Sequence, residues 1–233
     1  MPLYGIDKQL RFQYSAAMLQ DRSMVLDVGG GRGDFLDFAS CSGVIADLPP
    51  HNSLFGRTKI AHSAVYFDGV RLPFRDKSFK TVVSLDTLEH VSKEKRPSFI
   101  RELQRVSANR IILTFPERQF FLEALEVTAR LYDGLGISRV MRKSLEEHRR
   151  FGLPSSAEVL KQIDLNDWAA RIITFMGRWA TGFWIMQLFL PFLATPIVNN
   201  AIANSLSQVS KDEASECLMV LQRIEKAETT DCE

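Results

Sequence analysis

Net charge is the first thing this 233-residue sequence lacks: 29 Lys and Arg stand against 28 Asp and Glu, leaving +1. Without a basic excess there is no chain-wide electrostatic footprint for DNA or RNA, and no nucleic-acid partner is expected. Cysteine is scarce as well. Cys41, Cys217 and Cys232 are odd in number and share no metal or redox spacing, which suits a reduced, cytoplasmic setting. The opening residues, MPLYGIDKQLRF, have no apolar core behind a basic head, so no secretory signal is expected. Repeats, low-complexity tracts and Pro/Gly/Ser linkers are missing too, which favours one domain over two. The bulk composition, 45% apolar and 24% charged, excludes a disordered, collagenous or polytopic membrane chain.

One further lack is local. Between Arg178 and Lys211 the chain runs for 32 residues without a charge, and all three tryptophans (Trp168, Trp179, Trp184) lie in or just before that run. A chain with 24% charged residues does not leave such a gap by chance.

Elsewhere the pattern alternates. Residues 1–20 read as an amphipathic helix with Leu10, Tyr14, Ala17 and Met18 at helical spacing. Apolar runs follow at SMVLDV (23–28), SGVIADL (42–48), SAVYFDG (63–69), Thr81–Leu85 and NRIILTFP (109–116), with helical segments between them, the clearest at 93–107. Strand and helix in alternation with short connections predict a doubly wound, mostly parallel α/β sheet covered by helices on both faces. Beyond Pro116 the pattern changes to helices over 117–131 and 155–163, a sixth strand at Ala170–Met176 and a last strand at Cys217–Ile224.

The sharpest motif is Asp27-Val-Gly-Gly-Gly-Arg-Gly33, between the first strand and the first following helix. Gly29, Gly31 and Gly33 allow a tight turn and a close approach of ligand to backbone, next to the free N–H groups of a helix start. The spacing is G-x-G-x-G, not the dinucleotide G-x-G-x-x-G, and Arg32-Gly33-Asp34 is no Walker loop. Asp27 would repel a pyrophosphate and suits a ligand with a cationic amino group. Asp47 ends the second strand, where a carboxylate can accept the hydroxyls of a ribose. Asp68-Gly69 ends the third and suits an adenine amine; either acid by itself reads equally as a cap or turn residue. All three acids sit at C-terminal strand ends, where open α/β sheets bind ligands.

These segments resemble the class I S-adenosylmethionine-dependent methyltransferases, and more closely the type 11 group that includes ubiquinone and menaquinone biosynthesis enzymes. The resemblance runs over about residues 10–116 through VLDVGGGRGDF, Asp47, FDGVRLPFRDKSFKTVVSLDTLEHV and FIRELQRVSANRIILTFP. It implies a seven-stranded mixed sheet of order 3-2-1-4-5-7-6 with an antiparallel last strand, and S-adenosylmethionine as cofactor. It also implies that Asp27 and the backbone of Gly29, Gly30, Gly31 and Gly33 hold the methionine end. By the same resemblance Asp47 holds the ribose, with Leu48 beside the adenine, Asp68 and Gly69 on the adenine, and Leu85 along the methionine. Two residues depart from the family pattern: Gly30, where Cys or another small residue is common, and Lys80, where Asp is usual. The expected organisation is a single domain over 1–226. It holds an N-terminal helix 1–20, a cofactor half 21–116, a substrate-side region 117–212 with an apolar insertion 179–198, and a last strand 217–224 before a tail 227–233.

Methyl transfer is an in-line displacement that needs alignment and, for some acceptors, a base. The base candidates are Asp86 and His90, with Glu89 beside them and His148 further on; Glu89 and His90 read equally as residues bracing a short helix. His51 and His62 read as surface-loop residues, and no metal site is expected because no cluster has ligand spacing. In the uncharged run, Trp179–Val198 is long enough to span a bilayer, but Gln187, Pro191, Pro196 and a polar continuation argue against a single span. Three readings are open: a lid over the acceptor pocket, an in-plane membrane segment, or an oligomer interface. The basic run Arg139, Arg142, Lys143, Arg149 and Arg150 suits anionic headgroups or a solvated helix face. A hydrophobic or lipid-linked small acceptor, methylated on O or C by an enzyme peripheral to a membrane, is the expectation. Its rivals are a non-catalytic cofactor-binding subunit that docks a partner, and a soluble enzyme acting on a glycan or polyketide.

Overall fold

In the computed structural model the described residues are 5–48, 62–117, 126, 130, 146, 148–189, 195, 198, 199 and 216–224. They form seven strands: β1 (Val25–Val28), β2 (Gly43–Asp47), β3 (Ser63–Tyr66), β4 (Phe79–Leu85), β5 (Ser107–Pro116), β6 (Trp168–Phe175) and β7 (Glu216–Arg223). The sheet order is β3-β2-β1-β4-β5-β7-β6, as the family resemblance implies. β1 to β5 pair in parallel, and β7 enters antiparallel between β5 and β6. VLDV of β1 is buried along its whole length, as a central strand covered on both faces must be.

The period-2 alternation of the strands sorts their side chains into two cores. Leu26, Val82, Ile111, Leu113, Met219 and Leu221 face one side, where α3 (Arg96–Val106) lays down Phe99, Ile100, Leu103 and Val106. Val25, Val83, Ile112, Leu218 and Val220 face the other, under α1 (Ile6–Ala17) and α2 (Asp34–Ala39). Each fully buried aliphatic side chain contributes about 1.5–3 kcal/mol relative to exposure, so the two layers dominate the stability of the sheet. In α1 the apolar face begins one turn earlier than expected, at Ile6, with Leu10 on the same face. Tyr14 stacks on Phe175 at 4.9 Å, and Phe12 meets Phe35 edge-on at 5.4 Å.

Beyond Pro116, the bounds of β6 and of the helix before it differ from the sequence reading. β6 starts at Trp168 because it is an edge strand: Ala169, Ala170 and Arg171 are exposed, so no alternation marks its start. α4 (Ser156–Leu160) is shorter than the expected 155–163; Ser155 caps it by accepting from the Glu158 N–H, and residues 161–163 tighten into turns. The helix expected at 117–131 lies almost wholly outside the described residues.

The uncharged run begins as α5 (Arg178–Phe189), and its two polar side chains turn inward. Thr181 and Gln187 are buried. Gln187 accepts from the Ile6 N–H at 2.8 Å and donates to Asn199 Oδ1 at 2.6 Å, and Asn199 Nδ2 reaches Gln9 Oε1 at 3.0 Å. This buried amide chain fastens α5 to α1. Among the described residues, no helix is long and apolar enough to cross a membrane. Asn199→Ala strips two buried amides of a partner, so a loss of about 1–3 kcal/mol is expected, read as a lowered melting temperature.

Candidate active site

The C-terminal ends of β1, β2 and β4 meet along one edge of the sheet, and the glycine loop turns across it. Gly29 has φ +78°, and a Cβ there would run into Thr87, so only glycine serves. Asp47 holds the loop from the neighbouring strand: its Oδ2 accepts from the Gly31 N–H at 2.9 Å and its Oδ1 from the Leu48 N–H at 2.7 Å.

Asp27 lies beneath this loop, 1% exposed, and its Oδ2 has no hydrogen-bond partner. A Cβ on Gly30 would collide with its carboxylate, so the departure at Gly30 leaves the space in which this acid sits. Burial pushes Asp27 up to about 7, with the nearby Asp47 and Asp34 adding to the rise.

Two cavities adjoin here, both touched by Gly29 and Asp86. One of about 370 Å³ lies between Asp27, Gly29 to Arg32 and Leu85 on the sheet side and Lys8, Arg11 and Phe12 of α1 above. The other, about 550 Å³, is bounded by Asp47, Leu48, Phe67 and Gly69 on one side and by Thr87, His90, Val91, Phe99 and Phe151 on the other. The expected cofactor residues thus converge, with two exceptions: Gly33 lines neither cavity, an added Cβ there meeting Ile45, and Asp68 lines neither. Asp68 turns its carboxylate into its own loop, where Oδ1 accepts from the Val70 and Arg71 N–H groups at 2.9 Å. Those bonds hold its pKa below the usual value, and Phe67 and Gly69 line the cavity instead.

Asp86 follows β4 at φ +48°, a strained conformation for a non-glycine residue. It is ion-paired to Arg11 and accepts from Thr114 Oγ1 at 3.0 Å. Its neighbours in the 3-10 turn Leu88–His90 divide the work: Glu89 is buried and His90 is exposed at the cavity rim. His90 Nε2 is 3.9 Å from Glu89 Oε1, and its ring lies 5.6 Å from that of His148. Donor atoms of Glu89, His90 and His148 all lie within 4.8 Å of one another, a spacing that could hold a metal ion. Linear spacing did not reveal this trio, because only folding brings His148 to the other two.

Other residues are placed differently from the sequence reading or were missed by it. His62 is no surface-loop residue: its side chain is 1% exposed and sits 3.3 Å from Asp37 of α2. His51 lies outside the described residues. Arg149 and Arg150 of the basic run are exposed, and Arg149 pairs with Glu126 at 2.7 Å; Arg139, Arg142 and Lys143 lie outside the described residues. Arg11 and Glu216 carry no motif. Glu216 opens β7 on the edge that bears the site, buried with an unpartnered Oε2. Burial pushes it up to about 8; the nearby Arg11 works against the rise, while Glu89 and Asp7 add to it. Burial likewise raises Glu89. An acid at the first residue of the one antiparallel strand is the signal that would have found Glu216, since such a strand starts where the parallel ones end.

Residues 26–113 match the model of a methyltransferase domain family. A SAM-dependent methyltransferase from Archaeoglobus fulgidus is similar in structure at TM-score 0.61 and 13% identity, covering 94% of each chain. One from Thermotoga maritima is similar at TM-score 0.60 and 15% identity, covering 92% of this chain and 88% of the other. Residues 26–113 thus carry a methyltransferase domain, and the chain has the class I S-adenosylmethionine-dependent methyltransferase fold. The plantazolicin methyltransferase BpumL, in a complex that holds S-adenosylhomocysteine (SAH), shares the fold at TM-score 0.58 and 12% identity over 94% of this chain and 84% of its own. No curated protein sequence matches the chain. The residues suit S-adenosylmethionine, the cofactor of the methyltransferases that share this fold. Its α-ammonium would meet the unpartnered Asp27 oxygen, its carboxylate the Lys8 and Arg11 cations, and its adenosine the larger cavity beyond Asp47.

Proposed function

We propose that this methyltransferase acts on a hydrophobic or lipid-linked small molecule and methylates it at oxygen or carbon. The observation that carries the reading is the packing of α5, the start of the uncharged run, on α1, whose Lys8, Arg11 and Phe12 roof the methionine-end cavity. Of the three readings of that run, this favours the lid: an apolar segment joined to the roof of the cavity in which the methyl group is delivered.

When bound, the cofactor supplies an electrophilic methyl group on a sulfonium. Asp27 holds its ammonium and Asp47 its ribose, with Leu48 and Gly69 flanking the adenine and Leu85 along the methionine chain. Arg11 stands over the same cavity and, with Asp86 as its counter-ion, faces the carboxylate. Asp86 is therefore committed to Arg11 and Thr114, and the base falls to His90. Exposed at the rim of the larger cavity, His90 takes the proton that the acceptor loses as its new bond to carbon forms.

Incubating the protein with radiolabelled S-adenosylmethionine and whole-cell extract, then partitioning the products between organic and aqueous phases, tests this. Label in an organic-extractable product, with release of SAH, is the expected result. Label confined to water-soluble glycan would overturn the acceptor class, and cofactor binding without turnover on any extract would overturn the enzyme reading.

A further inference from the structure

Arg96 is the first residue of α3 and is 2% exposed. A cation in the first turn opposes the helix dipole, and burying it adds a desolvation penalty, so the stability of α3 does not account for it. Its bonds lead elsewhere. Nε–H is shared between Leu88 O at 3.1 Å and Val91 O at 3.0 Å, the two ends of the turn that carries Glu89 and His90. Nη2 donates to Phe151 O at 3.3 Å and to Gly152 O. One planar guanidinium thus joins the turn after β4 to a segment more than fifty residues away in sequence.

That second segment is shaped to be held. The Gly152 N–H closes a helical turn onto His148 O at 2.9 Å, and Gly152 has φ +68°, which ends the turn and leaves its carbonyl and that of Phe151 for an outside donor. The same turn carries His148, whose ring meets His90, and Phe151, which lines the larger cavity.

We propose that Arg96 is a positioning residue that bolts the His148–Gly152 turn onto the Leu88–Val91 turn, so that Phe151 closes the adenosine cavity of the cofactor. Lysine does not replace it, because a single ammonium lacks the forked donors needed to reach both pairs of carbonyls. The proposal rests on the cofactor occupying that cavity, and titrating the wild-type protein with SAH tests this separately.

The test is a double-mutant cycle read as SAH affinity, with the melting temperature of each variant recorded alongside. Arg96→Lys and Phe151→Ala are each expected to raise the dissociation constant about tenfold, and the double variant to lie within about twofold of Phe151→Ala, since both remove the same closure. Multiplying effects in the double variant would overturn the proposal. So would an Arg96→Lys protein with a lowered melting temperature and unchanged SAH affinity, which is what a merely structural role predicts. Phe151→Ala keeps Arg96 in place, and unchanged affinity in that variant alone also overturns it.

Discussion

Asp27→Asn is expected to weaken S-adenosylmethionine binding about 100-fold, the loss of roughly 3 kcal/mol from a charge pair in a buried site. The asparagine keeps the shape and removes the charge that the ligand ammonium neutralises. The pH dependence carries the clearest signature. Asp27 is pushed up to about 7 in the ligand-free protein, so below that pH a bound cation must displace a proton. Wild-type affinity is expected to rise with pH towards 7 and then level, by at most about tenfold per pH unit for a single proton, while the Asn variant stays flat. Isothermal titration calorimetry on either side of pH 7 measures this, and an Asn variant that binds within threefold of wild type would sink the assignment.

Stability moves the other way. An acid whose folded pKa lies above its unfolded value contributes stability that is fully present below the unfolded value and is lost as pH rises through the folded one. For Asp27 that window runs from 3.8 to about 7, and its upper bound is roughly 4 kcal/mol at about 1.4 kcal/mol per unit. Ligand-free Asp27→Asn should therefore melt higher than wild type above pH 7. A shallower decline up to about 8 should remain, because Glu216 is raised from 4.5 to about 8 by the same desolvation. Glu216→Gln should lessen that remainder, the raised Glu89 accounting for what is left.

His90→Ala is expected to lower kcat about 100-fold or more, the lower end of what a general base contributes, with SAH affinity within about threefold of wild type. His90 stands at the rim of the larger cavity, whereas the charges proposed to face the cofactor, Asp27, Lys8 and Arg11, line the smaller one. Single-turnover rates separate chemistry from binding. Intact turnover on the true acceptor would refute the base assignment. Inhibition by chelator, reversed by a divalent cation, would instead reassign Glu89, His90 and His148 to metal ligation.

Much of the cofactor side was legible in the chain because its chemistry is local. A glycine loop, an acid before it and an acid ending the next strand are each encoded within a few residues, and parallel strand pairing then brings them to one edge. Asp68 shows the limit: its position was read correctly, but the side chain prefers two backbone N–H groups of its own turn. His62 shows another, since a loop histidine reads as exposed until α2 supplies Asp37 beside it. Arg11, Glu216, Arg96 and the meeting of His90 with His148 depend on contacts between distant segments, for which periodicity carries no signal.

The uncharged run divides the two kinds of knowledge most clearly. Composition by itself determined that this stretch is set apart from a chain of ordinary charge, and the motifs before it determined the sheet and the cofactor. Which way the start of the stretch, α5, faces was decided only by the tertiary structure. Gln187 turns inward because the Ile6 N–H of α1 and Asn199, itself held by Gln9, offer buried partners there, while Thr181 donates to the Met176 and Gly177 carbonyls; an unpaired amide in a core costs more than an exposed methionine on a helix surface. Hydrophobicity is a property of the segment, whereas the satisfaction of its polar groups is a property of the fold.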